Sequence, residues 1–251
     1  MVSSSSRRLI PAACAALLLC LVSTASAIAQ EIVAQFAPRV VRHAAGQIGA
    51  SGNNAYMASI NFAPGEEYYL DYTFTFRPGF DWEANGRPRG GKLPGLAGGS
   101  GTGGCRAKAA DGWSARQTWG ASGTVTLYLY DQNRDGRCGT KIAYVDGGKP
   151  FRFVTGRKYR LTQRVKVNAP GAANGEIQIW VDGRQVLLKR DLRLRGNVAA
   201  SQGRVSQLKY HSYFGGDNQG FAPARDSYID YGPMYVLKCM PNLNNAPGRC
   251  R

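Results

Sequence analysis

The stretch Glu176–Leu188, EIQIWVDGRQVLL, decides the fold class of this 251-residue chain. Ile177, Ile179 and Val181 alternate with Glu176, Gln178 and Trp180, a period of two that gives an extended strand one apolar face and one polar or aromatic face. Asp182-Gly183 is a two-residue turn of the kind that reverses a chain between antiparallel strands, and Gln185–Leu188 is the returning strand. The same alternation, rich in Val, Ile, Thr and aromatic residues, predicts strands near Tyr68–Arg77, Trp113–Trp119, Thr124–Tyr130, Tyr159–Val167, Val205–Phe214 and Tyr228–Leu237. Gly, Asn, Asp and Pro punctuate the intervals, and no long amphipathic helix is visible. Many short antiparallel strands predict an all-β protein, a two-sheet antiparallel β-sandwich of jelly-roll type. Residues 81–112 read as a long Gly-rich connection without a strand, and long connections of this kind tend to be functional. Its GGSGTGG run is followed by neither a Lys-Ser/Thr pair nor a helix pattern, so it is no phosphate cradle.

The first 30 residues, MVSSSSRRLIPAACAALLLCLVSTASAIAQ, carry Arg7 and Arg8, an apolar run from Ala12 to Val22 and small residues up to Ala29, the pattern of a secretory signal peptide. The run is too short for a membrane-spanning helix, which needs about 20 apolar residues. Cleavage after Ala29 leaves residues 30–251 as a single domain without membrane insertion, expected to be a secreted monomer. The mature chain keeps Cys105, Cys138, Cys239 and Cys250, an even number in an oxidising compartment, which predicts two disulfides. Cys239 with Cys250 is the local closure, and Cys105 with Cys138 follows by elimination. Neither zinc spacing nor a complete calcium loop is present: Asp131, Asn133, Asp135 and Gly136 begin one, but Ile142 replaces its bidentate carboxylate. No cofactor and no required metal are expected. The net charge of +16 points to a polyanion. Without a helix-turn-helix, zinc-finger or RNP-type signature, nucleic acid is not the expected partner, and an acidic polysaccharide is.

Side chains two apart share a strand face. Ser114 and Arg116 therefore point one way, and Tyr128 and Tyr130 share a face with Leu127 and Leu129 behind them. A hairpin across residues 120–123 joins these four into one patch, over which the Gly-rich loop can lay Lys92. The alternative is that the tyrosines are amphipathic surface residues and Arg116 makes a salt bridge. Gln178 and Trp180 line the cleft or, in Trp180's case, fill the sandwich. His211 shares a face with Lys209 and Tyr213 as a further cleft residue.

GGKLPGLAGG at 90–99, GWSARQTW at 112–119, LYLY at 127–130, NGEIQIWVDG at 174–183 and YFGGD at 213–217 together resemble polysaccharide lyase family 14, the jelly-roll alginate and glucuronan lyases. The resemblance implies β-elimination on a polyuronate, with active-site residues at Lys92, Ser114, Arg116, Tyr128 and Tyr130. His211 departs from it, standing where a small polar residue is expected. The residue types suit the chemistry. β-Elimination takes the proton from C5 beside a carboxylate and expels O4, so the carboxylate charge must be neutralised, which Arg116 can do with two donors. A base must reach C5 and an acid O4. A phenol can serve as either, and Lys92 is an alternative base or a second neutraliser. Ser114 lacks a nucleophile elbow and is expected to donate a hydrogen bond to substrate. A non-catalytic module binding acidic polysaccharide is the rival reading, and a glycoside hydrolase would need two carboxylates flanking the bond.

Overall fold

The computed structural model describes residues 32–49, 56–84, 87–88, 90–216 and 218–251. The leader expected over residues 1–29, and Asp217 of the last family block, lie outside them. Seventeen strands run through the described residues. In chain order they are β1 Ile32–Phe36, β2 Arg39–His43, β3 Tyr56–Gly65, β4 Glu67–Phe76, β5 Glu83–Ala84, β6 Arg87–Pro88, β7 Gly91–Gly98, β8 Trp113–Trp119 and β9 Val125–Tyr130. There follow β10 Thr140–Ala143, β11 Val145–Asp146, β12 Lys149–Pro150, β13 Lys158–Lys166, β14 Gly175–Val181, β15 Arg184–Leu192, β16 Val205–Phe214 and β17 Ser227–Leu237. All the strand pairs are antiparallel.

Two large sheets make the sandwich. One is seven-stranded, in the order β1-β17-β4-β13-β14-β15 with β2 also on β17; the other is six-stranded, β10-β9-β8-β7-β16-β3. Leu70, Phe74, Leu161, Ile177 and Ile179 from the first meet Leu93, Trp113, Leu127, Leu129 and Leu208 from the second in one apolar layer. The period-two pattern thus places its apolar set between the sheets and leaves the alternate set on the two outer faces. All eight strands expected from the sequence form, two of them with the expected ends and the rest within four residues.

The section before Met57, on which no strand was predicted, supplies β1, β2 and the start of β3. One sequence expectation is corrected. The Gly-rich connection contains β7, a central strand paired to β8 on one side and β16 on the other. The cause is close approach of its neighbours. A side chain on Gly91 would put Cβ 1.9 Å from the Trp119 ring, and one on Gly95 would put it 2.2 Å from the Ala115 carbonyl oxygen. Glycine is the residue that fits, and it erases the β-branched signature by which strands are read.

Disulfides join Cys105 to Cys138 and Cys239 to Cys250, the pairing expected. The tail closed by the second is fastened to the seven-stranded sheet by a buried ion pair. Arg160 bonds both oxygens of Asp71 at 2.9 and 2.7 Å, and Arg160 Nη1 also donates to the carbonyls of Asn242 and Asn245. Asp71 in turn accepts from Thr162 and from the Gly248 N–H. A buried pair holds only when its remaining donors and acceptors are satisfied, as they are here. At one end of the core, His43 sits edge-on to Phe80, Trp119 and Phe214, with its Nε2 3.1 Å from Ser212 Oγ. Burial pushes its pKa down to about 4.

Candidate active site

Five adjacent strands of the six-stranded sheet, β10, β9, β8, β7 and β16, deliver the site. Register sets Tyr213 beside Lys92, Lys92 beside Thr118, Arg116 beside Tyr128, Tyr128 beside Lys141 and Ser114 beside Tyr130. Because their neighbours Leu127, Leu129, Leu208 and Trp113 face the core, these side chains occupy the outer face. Lys92, Arg116, Tyr128, Tyr130, Lys141 and Tyr213 all line one cavity of about 530 Å³. Of the described residues that line it, none is a carboxylate.

The β8–β9 hairpin brings Arg116, Tyr128 and Tyr130 together on one face. Lys92 reaches them from strand β7 and not from a loop draped over the patch. Its ammonium lies 4.8 Å from the centre of the Tyr128 ring. Burial, reinforced by the charges of Arg116 and Lys141, pushes the Lys92 pKa down to about 7. Tyr128 moves the other way, to about 12, because burial disfavours its phenolate. The two phenol oxygens are 3.2 Å apart. Each also accepts a backbone N–H, from Gly139 at 3.3 Å for Tyr128 and from Cys105 at 3.1 Å for Tyr130. Tyr130 is the more deeply placed of the two, and Tyr128 is half-buried.

Arg116 makes none of the ion pairs found among the described residues. Its Nη1 lies 3.1 Å from His211 Nδ1. Arginine donates only, so this ring nitrogen accepts and the imidazole is neutral. Burial, together with the charges of Arg116, Lys209 and Lys92, keeps His211 neutral by lowering its pKa to about 3. His211 therefore orients the guanidinium without cancelling its charge.

Three sequence-derived assignments are changed. Ser114 is fully buried and its hydroxyl donates to the Thr102 carbonyl at 2.7 Å, so it fastens the loop after β7 and is not free to meet substrate. Gln178 and Trp180 belong to β14, on the outer face of the other sheet. There Gln178 accepts from Arg164, which also bonds Glu67 and Glu176. Alternation along the strand separated these two from Ile177 and Ile179 correctly, but a period of two cannot say which sheet a strand joins. Lys141 and Tyr213 were not assigned to the site from sequence. Lys141 lies in a four-residue strand with little pattern of its own, whereas Tyr213 could have been found from its shared face with His211.

Sandwich and cleft together are those of a carbohydrate-active protein that meets an acidic polymer. The sequence matches the family described as Polysaccharide lyase 14 over residues 32–234, and the chain belongs to that family. Among solved structures it is similar to the alginate lyase Aly36B, with 25% identity, a TM-score of 0.68 and 80% of each chain covered. The marine PL-14 alginate lyase of Aplysia kurodai is 21% identical with a TM-score of 0.63, covering 80% of this chain and 82% of that one. The endo-β-1,4-glucuronan lyase of the fungus Trichoderma reesei is 13% identical with a TM-score of 0.52, covering 88% and 92%. These last two likenesses speak to the fold. No curated protein sequence matches the chain.

Proposed function

We propose that this polysaccharide lyase cleaves an acidic uronate polymer, of the alginate or glucuronan type, by β-elimination, with Lys92 as the base and Tyr128 as the acid. The observation that carries the reading is a cavity furnished with cations and phenols and no carboxylate among its described residues. Hydrolysis through paired carboxylates has no groups to work with there. Elimination has all it needs. The Arg116 fork, aimed by neutral His211, neutralises the uronate carboxylate and so stabilises the carbanion-like charge that develops at C5. Lys92, half-neutral near pH 7, accepts the C5 proton and becomes an ammonium. The electron pair left at C5 forms the C4–C5 double bond as the C4–O4 bond breaks. Tyr128, with its pKa near 12, is a hydroxyl at every working pH and gives its proton to O4. Tyr130 holds Tyr128 in place. The division of labour follows from the two pKa shifts running in opposite directions within one cavity. The signal-like leader and the two disulfides support secretion of residues 30–251.

The test is to incubate the purified protein with polymannuronate, polyguluronate and glucuronan and follow the ultraviolet absorbance of the unsaturated product. The parent should generate it from at least one polymer. Lys92→Ala and Tyr128→Phe should each lower turnover about 10²-fold or more while leaving the fold intact. Tight binding of a polyuronate without unsaturated ends at any pH would refute the assignment.

A further inference from the structure

We infer that the Cys105–Cys138 disulfide is a positioning element of the acid end of the site, clamping the N–H groups of Cys105 and Gly139 onto the oxygens of Tyr130 and Tyr128. There they receive the negative charge left when Tyr128 gives its proton to O4. The inference rests on the reading of Tyr128 as the acid. Its observations come from the two loops, not from the strands that carry the phenols.

The loop after β7 and the loop after β9 both reach the phenols, and the disulfide ties them across 33 residues of sequence. Buried Arg134 knits the same two loops, donating to the Arg106 carbonyl at 2.9 Å and to those of Asp131 and Gly136 at 3.1 and 3.2 Å. Its guanidinium stands 5.0 Å from the Tyr130 ring centre. Two backbone features show that the donors are held in place at some conformational expense. Cys105 adopts φ 55°, a left-handed conformation that a residue with a side chain seldom takes without being held. Gly139 has no room for a side chain, since a Cβ there would lie 2.7 Å from Cε2 of the Tyr130 ring. Only glycine lets the backbone come close enough to aim its N–H at the Tyr128 oxygen.

The hydrogen-bond directions then fall into order. Tyr130 accepts from Cys105 and can give its own proton to Tyr128, which accepts from Gly139 as well. The Tyr128 proton is left free to point into the cavity. Once it has moved to O4, the Tyr128 phenolate retains two donors, the Gly139 N–H and the Tyr130 hydroxyl. Fixed donors aimed at the place where charge appears are what an oxyanion hole supplies to acyl transfer. Here the charge appears on the enzyme's own acid. Lys92 ends the cycle as an ammonium and Tyr128 as a phenolate, and solvent carries the proton between them.

The experiment compares Cys105→Ala/Cys138→Ala, Gly139→Ala and Tyr128→Phe with the parent on two substrates: the natural polyuronate, and a uronate oligomer carrying fluoride at C4, which departs without needing a proton. Folding is checked by circular dichroism. If the double cysteine variant does not fold, disulfide reduction in the folded parent takes its place beside Gly139→Ala. On the polymer, kcat should fall about tenfold or more in the clamp variants with KM within about twofold, and on the fluoride substrate turnover should stay near the parent's. Parent-like kcat on the polymer in folded clamp variants overturns the inference. So does an equal fall on both substrates, which marks a merely structural role. Tyr128→Phe separates the two readings. If it turns over polymer at the parent rate, the acid assignment fails; if it alone is slow on polymer and rescued by fluoride, the assignment stands and only the clamp fails.

Discussion

At the scale of the residue, Lys92 draws its reactivity from what surrounds it. A lysine in water holds its proton until far above neutrality, but burial and two neighbouring cations bring this one to about 7. The base must be neutral to act, and the neutral form grows as pH rises through that value. Plots of kcat/KM against pH should therefore climb through about 7 and stay flat until Tyr128 ionises near 12. Lys141→Gln removes one of the repelling charges, so Lys92 should hold its proton to higher pH and the climb should move upward; an unmoved climb would show that Lys92 is not the group titrating. Arg116, Tyr128 and Tyr130 were legible in the sequence because period-two spacing fixes a shared face. Ser114 misled because a shared face does not reveal a loop folded over it, and its hydroxyl is spent on Thr102.

At the scale of the element, legibility depended on what each strand carries. Val- and Tyr-rich strands such as β9 and β16 declared themselves. β7 did not, because its glycines answer to tertiary crowding and not to local propensity. Gly95→Ala tests this. With Cβ 2.2 Å from the Ala115 carbonyl oxygen and 2.7 Å from Arg116 Cα, backbone and not a pliant side chain is in the way, so β7 and β8 must part. Overpacking of this kind should destabilise by about 1–3 kcal/mol, and because Arg116 rides on the displaced strand, turnover should drop as well. Thermal unfolding and polyuronate assays on one preparation would measure both. An unchanged melting temperature would mean that the strands tolerate separation and that the glycine is there for another reason. Gln178 and Trp180 mark the complementary limit: strand and face were readable, but the sheet was set by long-range pairing of β14 with β13 and β15.

At the scale of the whole molecule, the two outer faces differ in electrostatics. On the seven-stranded sheet Arg164 is matched by Glu67 and Glu176, whereas Lys92, Arg116 and Lys141 enter none of the ion pairs among the described residues. Polyuronate affinity should weaken steadily with added salt, and a flat dependence measured by titration at several ionic strengths would count against this use of the charge. Acid should loosen the fold. His43 has a folded pKa near 4, below the ordinary 6.5, so the unfolded chain binds the extra proton first. Its contribution is complete above about pH 6.5 and is lost as pH falls toward 4, up to about 3 kcal/mol. Melting temperatures taken across that window should decline, and less steeply in His43→Gln. The margin of the sandwich has a bearing on crowded solutions. β15 ends the seven-stranded sheet, the kind of margin on which another chain could continue the ladder, and β11 covers part of it, with Asp146 bonding Arg184. Lys189 and Arg190 stud that margin, and the left-handed turn at Asp191 breaks its register against β14. An interrupted register offers an incoming strand no continuous seat, so concentrated protein is steered away from fibrous self-association.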